Sequence, residues 1–178
     1  MKIVISSIHG AGKTTLVNAL AVDPDFADYT CLTNLTRNLQ NQGIPINEQG
    51  TAYTQMMVML EHYRRVVLPG NHILDRCVID GLVYSDVLLP PKKFINEFNV
   101  IDQLFDRCIY EYDYIFYIKP EFPLVDDGTR SVDIKFYNKI NKSFKEIIKN
   151  LQSAGTVIHT ITGTVENRVQ QIKDIVLK

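Results

Sequence analysis

Ser7-Ile8-His9-Gly10-Ala11-Gly12-Lys13-Thr14-Thr15 sets two glycines, a lysine and two threonines between an apolar run, Ile3-Val4-Ile5, and a helix-like run, Leu16-Val17-Asn18-Ala19-Leu20. Those residue types in that order suit the binding of a phosphate chain. Glycines let backbone N–H groups approach phosphate oxygens, and the helix that follows offers the partial positive charge of its N-terminus. Lys13 is expected to reach the β- and γ-phosphates and the Thr14 hydroxyl to ligate Mg²⁺, with His9, Gly10, Ala11, Gly12 and Thr15 completing the cradle. The usual spacing is G-x-x-x-x-G-K-[ST], and Ser7 stands in its first position here. A residue with a Cβ therefore takes a turn that favours glycine, and Gly10 is placed to supply the flexibility.

A second group of reactive residues follows an apolar stretch further on. His72-Ile73-Leu74-Asp75 reads as a short buried strand ending on an acid, where a carboxylate can hold metal-bound water or accept a proton. The same position also suits an ordinary helix cap. Arg76 comes next, and a carboxylate beside a guanidinium at the mouth of a sheet can position an anionic acceptor and its nucleophilic oxygen. Asp80 and Tyr84 are four residues apart on the helix that begins there, so they share a face and line one pocket. Arg37, near the carboxyl end of an earlier strand, and Gln55, at the cleft end of a long helix, are further acceptor-binding candidates. His62 on that same helix is read as a surface or helix-packing residue. Residues 119–133 form a polar stretch broken by prolines and a glycine, the composition of a lid, and Arg130 within it is placed to neutralise charge as a phosphoryl group transfers. Arg168, after the last strand, is assigned to the wall that packs against adenine.

The elements that position these residues alternate between the two periodicities. Strands are predicted over about 2–6, 29–32, 72–75, 112–118 and 156–161. Helices are predicted over about 13–21, from Asn47 or Thr51 to about 68, from Cys77, over 94–110, from Asp133 to about 151, and after Thr164. The near-continuous apolar run Tyr114-Ile115-Phe116-Tyr117-Ile118 has the character of a central parallel strand. Met56, Met57 and Met59 read as core filling.

Bulk composition narrows the classes. A chain of 178 residues is expected to form one domain with a solid core. Its net charge of −1 provides no global basic field for holding a duplex by counterion release. Cys31, Cys77 and Cys108 are odd in number and lack metal-ligand spacing, which points to reduced thiols in a cytoplasm. No stretch approaches the length of a membrane span, so no membrane partner is expected.

Taken together, the 7–15 loop, Leu74-Asp75-Arg76-Cys77-Val78-Ile79-Asp80-Gly81-Leu82-Val83-Tyr84 and Asp126-Asp127-Gly128-Thr129-Arg130-Ser131-Val132-Asp133 resemble the P-loop nucleoside and nucleotide kinases. This group includes thymidylate kinase-like proteins and small ATP-binding kinases of bacteria and bacteriophages. The resemblance implies an α/β/α sandwich with a five-stranded parallel sheet in the order 2-3-1-4-5 and a small lid. It also implies ATP and Mg²⁺ as cofactors, Asp75 near the acceptor, and transfer of the γ-phosphate to a nucleoside or nucleotide. The location it implies is cytoplasmic, in the host if the chain is phage-encoded, and a homodimer is compatible with it. Members of the group differ in acceptor, and some act on modified bases within DNA, so a DNA-directed kinase and a non-catalytic or NTPase-type nucleotide-binding module are the alternative readings. A GTPase is disfavoured: Asn138-Lys139-Ile140-Asn141 approaches the guanine-recognition pattern but ends in Asn.

Overall fold

The structure is a computed structural model that describes residues 1–90, 92–121 and 133–178. Five strands, β1 (Lys2–Ser6), β2 (Thr30–Leu32), β3 (His72–Asp75), β4 (Tyr114–Ile118) and β5 (His159–Ile161), form one sheet in the order β2-β3-β1-β4-β5. All four pairings are parallel, as the resemblance implies. Ile3, Val4 and Ile5 at the centre are wholly buried, which is why their run is continuously apolar rather than alternating.

Parallel strands need crossovers, and right-handed crossovers fix the faces. The step from β1 outward to β2 places α1 (Lys13–Ala21) on one face. The remaining steps run the other way across the sheet. They place α2 (Leu35–Asn41), α3 (Ala52–Val66), α4 (Val78–Leu88), α5 (Ile95–Ile109) and α6 (Ile134–Ser153) on the opposite face. α7 (Val165–Val176) returns to pack on α1, giving a three-layer α/β/α sandwich.

Capping chemistry sets several boundaries. Thr51, rather than Asn47, caps α3, in a reciprocal arrangement with Thr54. Asn47 instead opens a short 3-10 turn, Asn47–Gln49, at φ 55°. Thr164 and Asp133 cap α7 and α6 through side-chain oxygens that accept backbone N–H groups. Two strands are shorter than the sequence suggests. β4 starts at Tyr114 because Asp113 turns to bind Lys2, its carboxylate accepting the Lys2 N–H at 2.6 Å, and the ladder opens only at Ile3 opposite Tyr114. β5 starts at His159 because the chain before it is tied to the end of α6, Thr156 N–H donating to Leu151 O at 2.9 Å.

α3 and α4 pack closely at Gly81. A Cβ at that position would collide with Met59 Sδ, so the two helices approach at a distance that an alanine forbids. Met59 is wholly buried and has nowhere to withdraw without displacing core neighbours. Gly81→Ala is expected to lower the unfolding free energy by about 1–3 kcal/mol in urea titration. The double variant with Met59→Ala should cost less than the sum of the two singles, because truncating Met59 removes the collision.

Candidate active site

The chain leaves β1 into the loop with Gly10 and Gly12 at φ 81° and 87°, the left-handed region where a side chain is strained. Ser7 does not share that conformation: the non-glycine residues at positive φ are Asn34, Asn47 and Arg76 among the described residues. The first loop position therefore makes no demand for glycine. Ser7 Oγ donates to Ile118 O at 2.7 Å, anchoring the loop to the end of β4. Lys13 turns back under the loop, its Nζ donating to Ser7 O at 2.5 Å and Ile8 O at 2.8 Å, and lies 3.9 Å from Asp80 Oδ1. Thr15 is exposed on α1, and His9 Nδ1 pairs with Tyr84 Oη at 2.6 Å.

β3 lies beside β1 with Asp75 opposite Ile5, which carries its carboxylate to the loop. Thr14 Oγ1 donates to Asp75 Oδ2 at 2.5 Å. Asp75 Oδ1 is buried without a hydrogen-bond partner, an arrangement that fits a cation held between hydroxyl and carboxylate. Thr14 and Asp75, expected to share a metal, thus lie side by side.

Arg76 adopts φ 80°, with its N–H donating to Ile5 O at 3.0 Å. A non-glycine residue there costs about 1–3 kcal/mol, and such strain concentrates at functional sites. Its guanidinium lies 3.4 Å from Asp80 Oδ1 and 5.9 Å from the Tyr84 ring centroid. Asp80 is 2 % exposed and also accepts from Ser6 Oγ at 2.8 Å and Cys77 N–H at 3.2 Å. Burial raises its pKa, while Lys13, Arg76 and the hydrogen bonds oppose the rise.

Beside this cluster a cavity opens between α3 and α4, lined by Gln55, Val58, His62, Arg76, Asp80 and Tyr84 among others. Gln55, Asp80 and Tyr84 meet there, as the sequence suggests. On α2, Thr36 lines the cavity while Arg37 is exposed. Of the two readings of His62, helix packing holds and the surface does not: it is 1 % exposed, faces Gly81 of α4 and borders the cavity. Its signal in the sequence was its spacing, seven residues after Gln55 and hence on the same helical face. Ser6, hidden at the end of an apolar strand, carried no such signal.

Arg168 is also revised. Its side chain is wholly buried, Nη1 donating to Ala11 O at 3.0 Å and Nη2 to Glu121 Oε2 at 3.1 Å. Glu121 in turn accepts the Gly163 N–H at 2.8 Å. Arg168 therefore braces the loop from beneath rather than offering a face to a base, and Glu121 is a supporting residue the sequence did not reveal. Arg130 and residues 122–132 of the expected lid lie outside the described residues.

A phosphate-binding loop at the end of the central strand, followed by a carboxylate on the neighbouring strand, defines a P-loop protein with the fold of the nucleoside and nucleotide kinases. The chain belongs to the AAA domain family, whose profile matches residues 2–168. By sequence, no curated protein matches it significantly. Among solved structures, the NadR protein in complex with NR superposes with a TM-score of 0.75 at 19 % identity, covering 97 % of this chain and 50 % of NadR. The chain thus spans about half the length of the NadR chains it matches. A deoxyadenosine kinase from M. mycoides with bound dATP superposes at 0.68 with 15 % identity, over 100 % of both chains. A thymidylate kinase from Ehrlichia chaffeensis does so at 0.64 with 18 % identity, over 100 % of this chain and 98 % of the kinase. At such identities the likeness establishes the fold. No helix among the described residues is long and apolar enough to cross a membrane.

Burial pushes the His62 pKa down to about 3, assisted by the positive charges of Arg65 and Arg76 and opposed by Glu61. His62 is therefore neutral in the folded chain, while the unfolded chain takes up a proton as pH falls below the ordinary value of 6.5. Its contribution to stability is complete above that value and is lost as pH falls toward 3. Between about pH 7.5 and about pH 5, unfolding free energy is expected to fall by about 2 kcal/mol from this group alone. His62→Gln should flatten that part of the profile in denaturant titrations at each pH.

Proposed function

We propose that the chain is an ATP- and Mg²⁺-dependent phosphotransferase that moves the γ-phosphate of ATP to a nucleoside, a nucleotide or a related acceptor. The observation that carries this reading is the pairing of Thr14 Oγ1 with Asp75 Oδ2 at 2.5 Å, next in the chain to Arg76, which lines a cavity that the phosphate loop itself does not need. A protein that only binds nucleotide requires the loop. A transferase also requires a second pocket within reach of the γ-phosphate, and this reading gives that role to the cavity lined by Arg76, Asp80, Tyr84 and Gln55, whose Asp80 and Tyr84 contact Lys13 and His9 of the loop. The likeness to a deoxyadenosine kinase, a thymidylate kinase and a NadR protein bound to NR supports the same reading.

In this role the loop N–H groups and Lys13 bind the phosphates, and Thr14 with Asp75 hold the cation. A bound Mg²⁺ would neutralise charge on the transferring group. Asp75 orients the acceptor hydroxyl or accepts its proton, Arg76 steadies charge at the mouth of the cavity, and Gln55, Asp80 and Tyr84 position the acceptor. Arg130 is proposed to close over the phosphates, and Arg168 to keep the loop in shape. Exposed Arg37 is proposed to act at the rim, on the acceptor's outer end.

The test is acceptor-dependent ADP release from Mg-ATP across nucleosides and nucleoside monophosphates, with DNA bearing hydroxymethylated bases as a further acceptor. Asp75→Asn is expected to retain ATP binding in calorimetry while kcat falls by about 100- to 10 000-fold. Lys13→Ala should lose ATP binding as well. Unchanged turnover in Asp75→Asn would overturn the assignment.

A further inference from the structure

The inner face of α3 presents Gln55, Val58 and His62, at i, i+3 and i+7, to the cavity between α3 and α4. α3 runs from the carboxyl edge of the sheet back toward the start of β3, so Gln55 stands near the mouth and His62 two turns deeper. At that depth the His62 ring is 1 % exposed, and its Nε2 is buried without a hydrogen-bond partner. Buried polar atoms in folded chains are nearly always paired, so an orphan bordering a cavity calls for a partner, which a bound ligand can supply. On the opposing wall Gly81 packs close to the ring, where an added Cβ would stand 3.6 Å from His62 Cδ2, and both residues border the cavity.

The charges of the lining restrict what that ligand is. Arg76 and Asp80 are the charged residues among the described lining, and they face each other at 3.4 Å. The other polar members, Thr36, Asn47, Thr54, Gln55 and His62, carry no formal charge once His62 is neutral. The charges that act on the imidazole are Arg65 and Glu61 from its own helix and Arg76 from the turn before α4, with Asp80 across the same cavity, and Arg65 is committed to Glu61, Leu32 O and Thr33 O. A neutral imidazole offers one donor and one acceptor nitrogen, the complement of a heteroaromatic ring edge. Among the described lining Arg76 is the one cation and Asp80 balances its charge, so a phosphate placed there gains no net attraction.

We propose that His62 is a specificity-determining residue that forms the floor of the acceptor cavity, where its Nε2 hydrogen-bonds the polar edge of an uncharged ring system. The site thereby selects a nucleoside over the corresponding nucleoside monophosphate. This inference rests on the phosphotransferase reading for the identity of the cavity as an acceptor site.

The experiment compares the full chain with His62→Ala and His62→Gln against matched nucleosides and nucleoside 5′-monophosphates. Acceptor KM and kcat are read by ADP release, and binding without ATP is read by thermal shift. The expected result is a lower KM for nucleosides than for their monophosphates. In His62→Ala the nucleoside KM should rise about tenfold or more, with kcat changed less than about threefold and the KM for ATP unchanged. His62→Gln, which keeps a polar end, should recover part of that loss while reordering the preferred nucleosides. An unchanged KM in His62→Ala, or a preference for monophosphates, overturns the proposal. Should His62→Ala fail to fold, an unaltered nucleoside order in His62→Gln overturns it equally. If no acceptor drives ADP release but nucleosides raise the Tm of the wild type and not of the variants, the phosphotransferase reading falls and the role of His62 in nucleoside binding stands. If no nucleoside raises the wild-type Tm, the inference falls whatever the activity.

Discussion

Burying the Asp80 carboxylate at 2 % exposure obliges its surroundings to supply donors and opposite charge, and the site is arranged around that obligation. Ser6 and the Cys77 N–H donate to one oxygen, while Arg76 and Lys13 approach the other. These groups come from the end of β1, the start of α4, the turn after β3 and the phosphate loop. A single carboxylate thus ties the loop to the cavity between α3 and α4. Removing one cation would leave a charge in a dry place, which is costlier than never having buried it.

The same logic explains the distribution of polar side chains beneath the loop. Arg168 is wholly buried and bonds to Ala11 O from below, while Ser7 bonds to Ile118 O from the side. The loop's own glycines give it the left-handed turns at Gly10 and Gly12, but glycine also leaves a chain free to wander. A fixed donor on α7 and a fixed acceptor on β4 remove that freedom. A Cβ at Gly12 would stand 3.3 Å from Arg168 Nη1, so the brace and the turn are fitted to each other.

Most of the architecture was legible because it rests on local rules. The apolar runs at 3–5, 73–74 and 115–118 mark strands buried on both faces, and Thr51, Asp133 and Thr164 announce helix starts by their chemistry. That Lys13 and Thr14 of the loop and the strand-end Asp75 come close together was legible because a strand-loop-helix pattern and a neighbouring strand end fix their places. What escaped depends on long-range packing. Ser6 lies 74 residues from Asp80 and Arg168 lies 157 from Ala11, so no window of sequence shows either contact. His62 looked like a histidine on a helix of mixed polarity, and only the approach of α4 at Gly81 encloses it. The strand ends at 112–113 and 156–158 were overextended because β-prone residues there are claimed by turns that the register of the sheet dictates.

Arg76 shows how the loop and the cavity hold each other. A left-handed φ at an arginine persists only where neighbours over-determine it. Here the N–H is bound to Ile5 O, the guanidinium faces Asp80, and the Tyr84 ring lies beneath it at 5.9 Å. Tyr84 in turn pairs with His9 of the loop, and the His9 ring stacks on Phe136 at the start of α6 with an interplanar angle of 18°. A displacement of the loop therefore reaches Arg76 through two side chains, and a group entering the cavity against Tyr84 reaches the loop by the same route. The strain at Arg76 is local, but the restraints that sustain it span β1, α4 and α6. The loop and the cavity consequently share one connected set of contacts, and a substitution at Tyr84 or His9 disturbs both.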